Sequence, residues 1–118
     1  MTDDHPIRIS ANPRRVRVRF GGRIVAETTR ALTLDEASYP GVQYIPREDV
    51  DMSLLAPTAH KTHCPYKGDA SHYTIKTTGR TSENAVWTYE TPYPEVVAIA
   101  GHLAFYRHRV DAIEEGPG

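Results

Sequence analysis

The chain has 118 residues, and its 14 Lys and Arg against 15 Asp and Glu give a formal net charge of -1. This length suits one domain with one hydrophobic core, and the charge balance argues against a nucleic-acid-binding protein, which normally carries a basic face. The single cysteine favours a reducing compartment, and the N-terminus lacks the pattern of a signal peptide. Because no apolar run reaches ~18 residues, we expect a cytoplasmic protein that does not enter a membrane.

The domain boundaries follow from the polar ends of the chain. Residues 1–13 are polar and contain two prolines, so they are predicted to form a flexible N-terminal arm. Residues 14–115 are predicted to form the single domain, and residues 116–118 a C-terminal tail.

The clearest strand signal is the alternation of arginine with Val16, Val18 and Phe20, which predicts a half-buried strand over Arg15–Phe20. The following Gly-Gly pair indicates a hairpin turn. A three-residue loop would pair Phe20 with Ile24, Val18 with Ala26, and Arg17 with Glu27. We prefer this register because it keeps one face apolar and places unlike charges opposite each other.

Further along the chain the pattern predicts short extended segments separated by turns. We expect strands over 28–34, 42–45, 70–77 and 84–89, a loop over 56–60, and either a helical turn or a strand over 50–55. Pro94 suits the first position of a helical turn over 95–100. A last hairpin is predicted to pair 103–106 with 110–113 through Arg107-His108-Arg109. The sum, about eight short strands, predicts a mainly-β domain.

Four sequence blocks carry a family resemblance: YIPREDV at 44–50, THCPYKG at 62–68, WTY at 87–89 and GHLAFY at 101–106. Over 14–115 the chain resembles the domain of unknown function 427 family of small bacterial and fungal proteins. The resemblance implies a compact fold of the Mss4-like or β-tent type with two packed antiparallel sheets. Some catalogues call the family nucleotidyltransferase-like, but no motif in this chain supports that activity.

Metal and cofactor binding are not expected. Relatives of this fold that bind zinc use two Cys-x-x-Cys pairs, and one cysteine cannot supply them. The histidines are too scattered in sequence to indicate three or four convergent ligands.

The stretch 61–73 is the richest in groups able to do chemistry. Cys64 is a candidate nucleophile, although it also suits a small buried apolar position. His63 is a poor base for it, because neighbours on an extended strand point to opposite faces. Lys67 could meet an anion or lie solvated in a turn. Glu48 could act as a base if its surroundings raise its pKa.

The aromatic residues suggest a binding cleft, since seven tyrosines against two phenylalanines suit a pocket rim better than a dry core. We predict that the domain binds an anionic or aromatic metabolite in a cleft with walls of Tyr44, Tyr66 and Trp87, anchored by Arg47 and Lys67 beside Glu48. One alternative is an enzyme that uses Cys64 or Glu48 with Lys67 on a nucleotide or acyl substrate. Another is a protein-interaction module or homodimer formed through a strand edge.

Overall fold

The computed structural model describes residues 5–118, which form ten β-strands and four short 3-10 turns. The predicted mainly-β class is confirmed, and the longest 3-10 segment, Pro94–Ile99, is interrupted by a non-helical residue, Val96. The strands are β1 (Ile7–Asn12), β2 (Arg15–Phe20), β3 (Arg23–Thr28), β4 (Ala31–Glu36), β5 (Val42–Tyr44), β6 (Leu55–Cys64), β7 (Gly68–Thr77), β8 (Arg80–Thr88), β9 (Leu103–Phe105) and β10 (Ala112–Gly116). The other 3-10 turns are Arg47–Asp49, Met52–Leu54 and Arg107–Arg109.

The strands pair into three antiparallel sheets, where the family resemblance implied two. Their orders are β1-β4-β5, β10-β2-β3 and β6-β7-β8-β9. Ile45 and Leu103 exchange two backbone hydrogen bonds of 2.8 Å, which join the β5 edge of the first sheet to the β9 edge of the third. The second sheet packs against this joined pair, and the space between them contains the apolar cavity described below.

The predicted alternation in β2 is confirmed, because Val16, Val18 and Phe20 are at most 2% exposed. Two of the three predicted β2–β3 pairs, Val18–Ala26 and Arg17–Glu27, are also confirmed. The pairing of Phe20 with Ile24 is wrong.

The error at the hairpin tip has a physical reason. A β-bulge shifts the register there, so that Ile24 pairs with Arg19. The extra residue is Val25, and the bulge lets both Val25 and Ala26 face the core, at 0% and 2% exposure.

Three other expectations are corrected. Within the polar N-terminal segment, residues 7–12 form β1, which pairs along its whole length with β4; residues 1–4 lie outside the described part. Residues 56–60 belong to β6 and are not a loop. The predicted last hairpin is wrong, because β9 pairs with β8 while β10 pairs with β2. The β10–β2 pairing places the apolar residues Ile113 and Val18 opposite each other. It also places Glu114 opposite Arg17, so that unlike charges are neighbours.

The helical turn predicted after Pro94 is confirmed as Pro94–Ile99, with the proline in the first turn. Within residues 5–118, no helix is long and apolar enough to cross a membrane.

Candidate functional site

An apolar cavity of about 480 Å³, called the main cavity below, lies between the second sheet and the joined edge of the other two. Its floor is apolar and includes Val16 and Val18 from β2 and Ile113 from β10. Other buried apolar side chains close it, so the interior offers few hydrogen-bonding groups. The remaining lining residues are Tyr39, Pro40, Gly41, Val42, Gln43, Ile45, Trp87, Phe105, Tyr106, Arg107 and His108.

Two aromatic rings form one wall of this cavity. Trp87 and Tyr106 lie with ring centroids 4.4 Å apart at an angle of 41°. The indole Nε1 of Trp87 donates a hydrogen bond of 3.2 Å to the hydroxyl of Tyr44, which is buried behind it. This bond fixes the indole, since a buried N–H that gave up its partner would incur a desolvation penalty.

The second ring of the wall is held by a buried histidine. His72 Nδ1 lies 3.2 Å from the carbonyl oxygen of His60, and its Nε2 lies 3.3 Å from the hydroxyl of Tyr106. A carbonyl can only accept, so Nδ1 donates and Nε2 accepts from the tyrosine. Burial lowers the pKa of His72, which favours this neutral form.

The rim of the cavity carries an uncompensated positive charge. Tyr39, Pro40 and Gly41 lie on the rim with Arg107 and His108, and all five are exposed. Within residues 5–118, the guanidinium of Arg107 forms neither an ion pair nor a hydrogen bond, and no carboxylate lines the cavity. The arginines that do pair with carboxylates are Arg15, Arg17, Arg19, Arg23, Arg30, Arg47 and Arg80.

The residues predicted to line one cleft lie in separate places. Trp87 lines the main cavity, and Tyr44 supports it from behind. Arg47 and Glu48 border a second cavity of about 440 Å³, and Tyr66 borders a third of about 430 Å³. The structure therefore brings Tyr44 and Trp87 together but does not bring the cationic residues to them.

Lys67 is buried at 7% exposure, and its Nζ donates to Glu36 Oε1 at 2.5 Å. The same carboxylate is hydrogen-bonded to His5, whose ring stacks on Tyr66 at 3.8 Å. Burial opposes the ionisation of Glu36, but the hydrogen bonds from Lys67 and His5 outweigh it and lower its pKa. The charge of Lys67 is thus balanced inside the protein.

Arg47 and Glu48 are also engaged with neighbouring side chains. Arg47 donates to Tyr73 at 3.2 Å and to Glu90 at 3.1 Å. Glu48 is exposed and accepts from Arg30 at 3.3 Å. Its own backbone N–H and then Arg30 lower its pKa, which is the opposite of the shift that a general base would need.

Cys64 is half-buried and packs against the cluster that contains Leu34, Tyr44 and Tyr89. Its neighbour His63 is exposed and pairs with Asp69 at 2.7 Å. No hydrogen bond joins the Cys64 thiol to a base among the described residues. In the same part of the chain, no group of three or more His, Cys, Asp or Glu side chains could hold a metal ion.

The rim residues Arg107 and His108 were missed because the sequence pattern assigned them to a hairpin loop. Tyr106 ends one of the family-like blocks, so the available signal was the basic turn directly after an aromatic residue. The residues that complete the cavity, such as Val18 and Ile113, come from strands distant in sequence.

The comparison with protein families gives one match, a family model described as a domain of unknown function (DUF427), over residues 8–116. No curated protein matches the chain. The matched range includes all four blocks that carried the resemblance and nearly the whole chain, so the protein belongs to the DUF427 family.

Proposed function

We propose that this protein is a small-molecule-binding domain whose ligand occupies the main cavity. The observation that carries the proposal is an apolar space of about 480 Å³ with a fixed aromatic wall, in the size range of sites for small ligands. The proposed ligand is still an anionic or aromatic metabolite, as expected from the sequence. The proposed binding site is now the main cavity and not a cleft anchored by Arg47 and Lys67. Of the predicted wall residues, Trp87 contacts the cavity directly.

The aromatic wall supports binding because it is organised before a ligand arrives. Trp87 is held by Tyr44, and Tyr106 by His72, so neither ring has to be ordered during binding. A preorganised wall avoids part of the entropy cost of association. An apolar or aromatic group can therefore pack between these rings and the half-buried side chains of Val42 and Ile113.

Trp87 also supplies the assay, because it is the only tryptophan of the chain. A ligand in the cavity should change its emission and raise the melting temperature, since a ligand that binds only the native state stabilises it. Suitable probes are 1-octanol and 3-phenylpropanol, together with octanoate and 3-phenylpropanoate.

A pair of matched variants locates the binding. Val42 lines the cavity, so Val42→Phe should fill part of it and weaken probe binding by about tenfold or more, through lost burial of apolar area. Val97 is 63% exposed and does not line the cavity, so Val97→Phe should bind like the wild type. The proposal fails if no probe changes the emission or the melting temperature, or if both variants bind equally well.

No specific observation favours the alternatives. The enzyme hypothesis needs Cys64 or Glu48 near Lys67, but Glu48 pairs with Arg30 and Lys67 with Glu36. Strands β1 and β6 each have one edge without a strand partner among the described residues. An exposed edge permits dimerisation but does not indicate it, and light scattering over a concentration series tests that prediction.

A further inference from the structure

The main cavity differs in charge from four other cavities formed by residues 5–118. Each of those contains at least one carboxylate: Glu48, Glu95, Asp69 with Glu90, and Glu114 with Glu115. The main cavity has an arginine and a histidine on its rim and no carboxylate in its lining. Its charge is therefore not balanced by its own residues.

We propose that the ligand is an organic acid, with its anionic group on Arg107 at the rim and its apolar part inside. This inference deepens the proposed function and rests on it. The apolar part lies against the half-buried Val42 and Ile113, with Trp87 at its side. The anionic group stays near the surface, where it retains part of its hydration.

The observation behind this proposal is that Arg107 has no carboxylate partner among the described residues. Most arginines of the described chain already have a carboxylate partner, such as Arg17 with Glu27 at 2.7 Å and Arg19 with Glu114 at 2.9 Å. Arg107 has none within residues 5–118, so its planar fork of donors is available to a carboxylate of the ligand. His108 lies beside it on the rim, and its ring N–H can donate a further hydrogen bond.

The same lining selects against other ligand classes. A primary amine would bring a cation to a rim that already contains Arg107 and would find no carboxylate in the lining. A nucleotide would bury sugar hydroxyls against apolar residues such as Val16 and Ile113, and an unpaired buried hydroxyl costs about 1–3 kcal/mol. The geometry thus fits a monocarboxylate with an alkyl or aryl tail.

Matched probes with one skeleton and different head groups test the head-group preference. Octanoate, 1-octanol and octylamine would be titrated by calorimetry and by Trp87 emission, and 3-phenylpropanoate would be compared with 3-phenylpropanol. We expect each acid to bind about tenfold tighter than its alcohol, because a carboxylate forms a bidentate ion pair with a guanidinium and a neutral hydroxyl does not. Octylamine should bind weakest, and 0.5 M NaCl should reduce the preference for the acid.

Two arginines of the same turn give the variant and its control. Arg107→Gln should reduce octanoate binding to about the level of 1-octanol measured in the same variant, so that the preference for the acid is lost. Arg109 lies two residues further and does not line the cavity, so Arg109→Gln should behave as the wild type.

Each outcome separates the two proposals. If acid and alcohol bind equally, the organic-acid inference is overturned while cavity binding stands. If the acid preference survives in Arg107→Gln, the assignment of the anionic group to Arg107 is overturned. If none of the probes binds, both proposals are overturned.

Discussion

The turn between β6 and β7 and the rim of the main cavity differ in how fully their charges are balanced. In the turn, Lys67 pairs with Glu36, and nearby His63 pairs with Asp69. At the cavity rim, Arg107 has no partner within residues 5–118. The stretch that is richest in reactive residue types is therefore a structural junction, whereas the unpaired arginine lies in a different segment, the basic turn after Tyr106.

The β6–β7 turn is a junction because several segments meet on it. The backbone N–H of Tyr93 donates to the carbonyl of Lys67 at 2.9 Å, and the N–H of Lys67 donates to the carbonyl of Cys64 at 3.2 Å. Gly68 has a φ of +116°, which a side chain rarely tolerates. Glu36 connects the turn to the end of β4. These contacts explain the composition of the turn without a ligand.

The largest effect should come from breaking the Lys67–Glu36 pair. Lys67→Met removes the lysine partner of the mostly buried Glu36 carboxylate and leaves its hydrogen bond with His5. The free energy of unfolding should therefore fall by roughly 2–4 kcal/mol. Urea denaturation measures this loss. Octanoate binding by the folded variant should not change.

The double variant Lys67→Met/Glu36→Gln is the control for that experiment. Removing both charges should recover part of the lost stability, because no unpaired carboxylate remains. A stable Lys67→Met protein that has lost octanoate binding would reverse the comparison and place the ligand at the β6–β7 turn.

A smaller effect is expected behind the cavity wall. Tyr44→Phe removes the acceptor of the Trp87 indole N–H and should lower the free energy of unfolding by about 1–2 kcal/mol. Tyr89 is also buried, but its hydroxyl has no hydrogen bond among the described residues, so Tyr89→Phe should cost less. Equal losses in urea denaturation would mean that the Tyr44–Trp87 bond does not hold the wall.

Local patterns in the sequence predicted the local parts of the fold. The alternation in β2 follows from burial of one strand face, and Pro94 marks the start of a helical turn because it lacks an N–H. The pair Arg17–Glu27 follows from charge and hairpin geometry. The bulge at Val25 was missed because it depends on tertiary packing. Val25 is buried in the core together with Ala26, which the alternation along the two strands does not show.

The site was harder to predict because its parts are distant in the chain. Trp87 was identified as a wall residue from its type and its sequence block. The pairing of Lys67 with Glu36, 31 residues away, depends on how β4 packs against the β6–β7 turn. The cavity floor needs β10 to pair with β2, and turn composition alone favoured a local hairpin instead.

Acid titration should separate the two regions, because their buried ionisable groups respond in different pH ranges. Burial lowers the pKa of His72 below its ordinary 6.5, so the unfolded chain binds more protons there and stability falls as the pH drops below about 6.5. The pKa of Glu36 is lowered from 4.5, so its contribution is present above about 4.5 and lost below it.

Two variants assign these two ranges. His72→Gln should flatten the dependence of the unfolding free energy on pH between about 7 and 5.5, and Glu36→Gln should flatten it below about 4.5. A His72→Gln curve parallel to that of the wild type would contradict the buried neutral histidine behind the cavity wall.

The smallest effect should be found at Glu48, which the sequence marked as a candidate base. Its carboxylate is 66% exposed and pairs with Arg30, which also donates to Asp49 at 3.1 Å. Glu48→Gln should therefore leave the midpoint of urea denaturation close to that of the wild type, because Arg30 keeps Asp49 as a partner and exposed pairs contribute little. Calorimetric titration should give the wild-type affinity for octanoate. A loss of affinity would instead place the acid in the second cavity beside Arg47, where the guanidinium would have to leave Glu90 to receive it.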